Sequence, residues 1–489
     1  MHIERIFIKV KSCVILIACL WAGISVVAQQ DLAVKAFVEA AGNGHAGDNT
    51  PFWMVANKFG LSSVDNSAYL RGSMDLQYKF GDNWRLEAGL DLVGAVGMDA
   101  NFFVQQAYAD IYYRWLGLSV GSRERSFPLL NKELSSGSLV VSDNARPIPQ
   151  VRFGAFDYVQ IWPRFGLKAE LSFGWFTDGC FQKDFVDEHN YYSEKVLYHH
   201  KSFYMRIGLP EGRWVWEMGY RLDSQFGGKK TDNATGEVFD NGGGWKRYWH
   251  ALIPQKGDSE TTLGDQVQYE GNILGSEFLK LTHNNDLFSL SAYLENYFDD
   301  FSGMGKLNGF DGLWGIEYKG HKFKYIDNAV FEYYQSTHQS GPLHGLDFDD
   351  MALKTGGADD YYNNFFYTGW EHWGYSLGTP LSVSPVYNDN GSLRFYYNRV
   401  RAFHVAFSGD LSDEVSYVGR FNHSRTWGTP FMPTPEMKKS VSAAIEIDYS
   451  PAGLKSWHFR FGVGGDVSDV YGDNIGLSVA VRKCFDIVK

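Results

Sequence analysis

The chain has 489 residues and carries 45 Lys+Arg against 57 Asp+Glu, a net charge of −12. That acidic balance argues against a nucleic-acid partner and against docking on anionic lipid. Aromatic residues reach 16% and glycines number 53, yet no stretch beyond the leader approaches the length of apolar run that a membrane-spanning helix needs.

The first residues read as a secretory signal. Arg5, Lys9 and Lys11 form a positive head, Cys13 to Val27 an apolar run, and Val26-Val27-Ala28 a small-residue cleavage site. The expected signal peptide is 1–28, with the mature chain being 29–489. Leu16-Ile17-Ala18-Cys19 also has the look of a lipobox, although the apolar run continues past it. An N-terminal membrane anchor is the other alternative. Removing the leader leaves Cys180 and Cys484, far apart and in no metal-type spacing, so two free thiols are expected.

Residues 50–58 begin with Thr50 and Pro51, which predicts a capped short helix. From Leu70 the chain alternates. Leu70, Met74, Leu76, Tyr78 and Phe80 interleave with Arg71, Ser73, Asp75, Gln77 and Lys79; Trp84, Leu86, Leu90 and Leu92 follow after a turn at 81–83. Period two is the mark of a strand with one apolar and one polar face. Here the apolar side is rich in aliphatics and aromatics and the other carries charges of both signs, as in a barrel with lipid outside and a polar lumen. Arg71, Asp75, Lys79, Arg85 and Glu87 are expected to pair with other charges inside, because a buried charge needs a partner.

A second short helix is predicted over 126–134; both helical pieces are candidates to fill the lumen, with a surface turn of helix as the alternative. Further alternating runs occur at Trp214–Leu222, Phe288–Leu294, Trp314–Tyr318 turning at 320–321 into Phe323 and Tyr325, Val441–Tyr449, Trp457–Val463 and Ile475–Val481. About sixteen to eighteen strands are expected in one antiparallel transmembrane barrel. Short turns at 81–83, 284–286 and 320–321 would face the periplasm, and long segments at 223–260, 296–312 and 335–374 would face outward. Tyr78, Phe80 and Trp84 would belong to an aromatic girdle. Phe485 ends the last apolar face, resembling the terminal signal read by the outer-membrane assembly machinery, with four residues after it.

Candidate ligand-binding residues lie on the long loops. Trp245, Tyr248 and Trp249 sit beside Lys246 and Arg247; Tyr361, Tyr362, Phe365, Phe366, Tyr367, Trp370 and Trp373 form a denser set around His372. Aromatic planes stack on sugar rings while nearby polar groups bond hydroxyls and uronates, the mixed character of a ligand site; packing of the loops into a rigid cap, or a place in the interfacial girdle, is the alternative for each ring. Arg146 and Arg152 could touch an acidic polymer or pair with lumen carboxylates, the latter being the simpler expectation. Acidic clusters at 299–300, 347–350 and 359–360 do not extend into a regular calcium-ligand set, and His338, His344 and His372 accompany no hydrolase motif. No catalytic residue, metal site or cofactor is expected.

Three ordered segments carry a resemblance. They are Ser142-Asp143-Asn144-Ala145-Arg146-Pro147-Ile148-Pro149-Gln150-Val151-Arg152-Phe153-Gly154; Phe331-Glu332-Tyr333-Tyr334-Gln335-Ser336-Thr337-His338-Gln339-Ser340-Gly341-Pro342; and Tyr361-Tyr362-Asn363-Asn364, continuing through Gly369-Trp370-Glu371-His372-Trp373-Gly374 to Leu377-Gly378-Thr379-Pro380-Leu381. Together they resemble the Wzi family of capsule assembly proteins across essentially the whole mature chain. The resemblance implies an eighteen-stranded outer-membrane barrel closed on the periplasmic side by a helical plug. It further implies a non-enzymatic lectin that anchors capsular polysaccharide or exopolysaccharide at the cell surface. A channel or porin-like transporter for sugar or anionic solutes is the alternative reading of the same barrel.

Overall fold

The computed structural model describes residues 32–242, 244–255, 270–299, 301–340 and 359–488. The expected signal peptide, Gly243, the end of the 223–260 loop, Asp300, His344 and the 347–350 acidic cluster lie outside the described residues.

Eighteen strands form one antiparallel sheet. Leu32–Ala46 pairs with Ser67–Phe80, each later strand pairs with the next in the chain, and Asn474–Val488 closes on Leu32–Ala46. A sheet closed in this way has no edge, as a lipid-embedded sheet requires. The alternation read in the sequence sets its two surfaces. In the strand Pro433–Tyr449, Val441, Ile445 and Ile447 are exposed, whereas Ser440, Ser442, Ala444 and Glu446 are buried inside. Phe485 is likewise exposed on the last strand.

Both termini of the barrel share one end with eight short hairpin turns, from the turn at 81–83 to that at 450–456. Aromatics ring this end: Phe80 stacks on Trp84 at 5.7 Å, Trp84 meets Tyr113 at 4.8 Å, and Trp162 meets Phe165 at 5.1 Å. Phe323 and Tyr325 are not in a strand as expected. The strand Gly312–Gly320 stops, and both rings lie exposed in the connection before Asn328–Gln335, where the Tyr417 hydroxyl donates to the Tyr325 carbonyl at 2.6 Å.

The long connections leave the opposite end, and three of them turn back into the lumen: 47–66, 123–149 and, in the described residues 336–340 and 359–399, the third. The first contains the helix Phe52–Val55, all four residues buried. Its Phe52 amide donates to Asp466 at 3.0 Å. Pro51, not Thr50, is its N-cap, and no side chain caps it. The Thr50 hydroxyl instead shares a hydrogen bond with His45 at 3.1 Å. The helix expected at 126–134 is absent: Pro128 interrupts it, and Asn131 Oδ1 accepts the Glu133 and Leu134 amides at 3.1 and 3.0 Å, a local turn that competes with helix.

This irregular segment reaches deep. Leu134 packs with Val330, Ala406 and Val418, which lie near the short-turn ends of their strands. Wall carboxylates hold it: Glu332 accepts the Ser136 amide and the Ser135 hydroxyl at 2.7 Å each, and Glu295 accepts the Leu139 amide at 3.0 Å and the Ser138 hydroxyl at 2.7 Å. The plug differs from the expectation in the missing helix over 126–134 alone. It enters from the long-loop end, and its deepest part is irregular chain instead of helix.

Candidate functional site

Two aromatic groups were expected to bind ligand, and the structure treats them oppositely. The helix Trp245–Leu252 stands on the long-loop end, its Gly244 cap at φ 91°. Glu270 fixes its inner face, accepting from Arg247 at 2.8 Å and bonding His250 at 2.6 Å. The Lys201 ammonium donates to the Leu252 carbonyl at 2.6 Å, satisfying the helix C-terminus. With Arg247 and His250 held inward, Trp245 and Trp249 are left 83% and 47% exposed. Tyr248 is half-buried between Phe173 and Phe226, at 5.2 and 5.4 Å, and lies roughly parallel to Trp245 at 6.4 Å. The arrangement offers open indole planes on a rigid base.

Most of the denser group is interior, but Phe365 is exposed, its ring under the Lys230 ammonium at 4.3 Å. Tyr361, Tyr362, Trp370 and His372 are all no more than 3% exposed. Tyr361 packs on Tyr297 at 4.2 Å. The Tyr362 hydroxyl donates to the Leu139 carbonyl, and the Trp370 indole donates to the Val140 carbonyl at 2.6 Å. One ring nitrogen of His372 bonds the Arg146 carbonyl at 2.9 Å and the other meets the Thr177 hydroxyl at 3.1 Å. Burial pushes its pKa down, which keeps the ring neutral in that position. These four side chains present no open face to a ligand. Their rings fill the plug and their polar atoms tie its segments together.

Arg146 is also interior and makes no ion pair among the described residues. Its guanidinium lies between the rings of Phe103 and Trp373, at 3.9 and 4.5 Å. Two cation–π contacts thus stand in for the expected carboxylate. Gly60 makes room for it: at φ +68°, an added Cβ would meet Arg146 Cγ at 2.6 Å. Trp373, half-buried, and Phe365, exposed, are the members of this cluster that keep accessible surface. Arg152 does pair with a carboxylate, Glu170.

The three sequence motifs converge in this plug. The Ser142 amide donates to the Leu377 carbonyl at 2.7 Å, Asn144 donates to the Ser376 carbonyl at 3.0 Å, and Gln339 Oε1 accepts the Tyr361 amide at 3.2 Å. Asp360, from an acidic cluster, is engaged by Arg394 at 2.9 Å and Asn398 at 2.7 Å. The expected lumen pairing occurs for Arg71 with Asp91 and Glu124, and for Arg85 with Glu87. Sequence reasoning missed a lumen cavity of about 390 Å³ that Arg123, Arg125, Arg152 and Lys168 help line. Its only sequence signal is the Arg123-Glu124-Arg125 run just past the strand Leu116–Ser122. Cys180 and Cys484 are free thiols, as expected.

Fold and lumen together define an outer-membrane β-barrel with an in-folded plug. No protein-family model matches the chain, and no curated protein sequence matches it. Among solved structures it is similar to Wzi, an outer membrane protein involved in group 1 capsule assembly in Escherichia coli and described as a carbohydrate binding beta-barrel, at 14% identity over 92% of this chain and 85% of that one, with a TM-score of 0.52. It is also similar to OccAB4 of Acinetobacter baumannii, at 12% identity, 94% and 99% coverage and a TM-score of 0.49. For OccK5 (OpdH) of Pseudomonas aeruginosa the values are 9%, 94% and 99%, and 0.48. At these identities the likeness concerns the fold.

Proposed function

We propose that this protein is a non-enzymatic outer-membrane lectin that holds capsular polysaccharide or exopolysaccharide at the cell surface. The observation that carries this reading is the contrast between a lumen crossed by a hydrogen-bonded plug and an outer helix that leaves Trp245 83% exposed. A transporter needs a continuous wet path, whereas a surface lectin needs open aromatic planes on a rigid support. Trp245 and Trp249 are the stacking planes, Tyr248 is their support, and Trp373 is a further contact. The resemblance of the three motifs to the Wzi family is in keeping with the same reading. Short turns then face the periplasm and the Trp245–Leu252 helix faces outward.

The test is binding of the purified, detergent-folded protein to the capsular polysaccharide of its own strain, with a capsule of different repeat structure as control. Selective, saturable binding is expected. Lack of binding to both polymers by folded protein, together with steady openings in a planar bilayer, would replace the lectin by a channel for sugar or anionic solutes.

A further inference from the structure

The lumen cavity is distinct from the outer helix. Tyr112, Lys168 and Tyr204, which line it, all lie within a few residues of the short-turn ends of their strands, so it opens below much of the plug. Its volume, about 390 Å³, falls in the range of small-molecule sites.

Most of its charges are already matched. Arg123 is bound by Asp110 and Glu87, Arg152 by Glu170, Arg221 by Asp223, and Glu124 by Arg71. Among the described residues, three lining cations have no ion-pair partner, Arg125, Lys168 and Arg146, and Arg146 is already held between the Phe103 and Trp373 rings. Arg125 bonds only neutral oxygens, Ser119 Oγ at 2.7 Å and the Arg123 carbonyl at 3.4 Å. The Lys168 ammonium stands over the Tyr204 ring at 5.3 Å. Asp157 is the one lining acid without an ion pair among the described residues, and it is exposed. Two confined cations beside two further arginines are costly unless an anion joins them. In keeping with that, burial, then Arg152 and Arg123, push the Arg125 guanidinium down to about 9.

The walls add apolar planes. Tyr112 and Phe156 meet edge to face at 5.8 Å, and both line the cavity with Tyr204. Cations for an oxyanion, rings for a C–H face and room for one sugar occur together. The geometry points to a second, luminal site for a monosaccharide bearing a carboxylate, with Arg125 and Lys168 binding the acid and Tyr112, Phe156 and Tyr204 framing the ring. This site does not rest on the surface-lectin reading, since it binds a single sugar acid from the lumen and not a polymer from outside.

The experiment is calorimetry on the full, detergent-folded protein with glucuronate, glucose and inorganic phosphate as separate probes. Saturable glucuronate binding that weakens with salt, with no glucose binding, is expected. The double variant R125Q/K168Q should bind glucuronate about tenfold or more weakly, in line with loss of charge-assisted hydrogen bonds. K455Q, on a distant exposed turn, serves as the control for net charge and should leave binding unchanged. Heat-modifiability on gels checks folding of each variant, and K168M is the second variant if the double one does not fold. No glucuronate binding by folded wild type, or equal binding by the lumen variants, overturns the proposal. Phosphate binding as tight as glucuronate overturns the sugar-acid assignment in favour of an unspecific oxyanion site.

Discussion

The indole of Trp370 donates to the carbonyl of Val140 at 2.6 Å, joining two plug segments that are 230 positions apart in the chain. Tyr362 repeats the contact one residue earlier, at Leu139. Trp370→Phe keeps most of the packing but strands a buried carbonyl, which should cost about 1–3 kcal/mol. Trp370→Ala also opens a cavity and should cost about 3–5 kcal/mol. Denaturant unfolding, with proteolysis of the plug as a second readout, checks both; equal stability of all three proteins would remove the plug role assigned here.

Glu446 offers a sharper electrostatic case. One of its oxygens accepts from Lys58 of the plug at 2.5 Å and the other from Arg420 of the wall at 2.8 Å. Glu446→Gln leaves two confined cations without their carboxylate and should destabilise by about 3–5 kcal/mol. Lys58→Met keeps the Arg420–Glu446 pair and should cost clearly less. Chemical denaturation of the two variants side by side gives the order.

Acidification should tighten one plug joint. Asp143 accepts from the Ser126 hydroxyl at 2.7 Å, and burial raises its pKa to about 6, against about 3.9 for an unfolded aspartate. Between those values the folded chain holds a proton that the unfolded chain has lost. The Asp143 contribution to stability is therefore fully present below about pH 4 and declines as pH rises to about 6. Asp143→Asn should remove this component, so that the stability difference between wild type and variant changes over that window and is flat above it. Melting curves at pH 4 to 8 supply the comparison.

Exposure separates binding from folding at the outer helix. Trp245→Ala and Trp249→Ala together remove planes that are 83% and 47% exposed, so stability should stay within about 1 kcal/mol. Polysaccharide affinity should fall about tenfold or more, as expected for loss of stacked aromatic contacts. Unchanged affinity in the folded double variant would move the surface site away from this helix.

The strand pattern was legible because a barrel wall is set by local alternation. From Leu70 to Leu92 each residue's face follows from its neighbours, and lipid outside with polar lumen inside enforces the pattern without reference to distant chain. The aromatic girdle near Trp84 was readable for the same reason, and the free thiols from the separation of Cys180 and Cys484. The helix over 126–134 was misread because Asn131 and Pro128 act through local turn geometry that the apolar pattern does not show.

Alternation, composition and three ordered motifs determined by themselves that the chain makes a barrel. Only the tertiary structure decided which aromatics are open. Trp245 and Trp370 look equivalent as loop tryptophans, yet one lies 83% exposed and the other is buried against Val140. The physical reason is that burial inside the lumen depends on where a long connection folds back. That path is set by contacts between residues hundreds of positions apart, such as Ser142 with Leu377 and Lys58 with Glu446, and no period in the sequence records them.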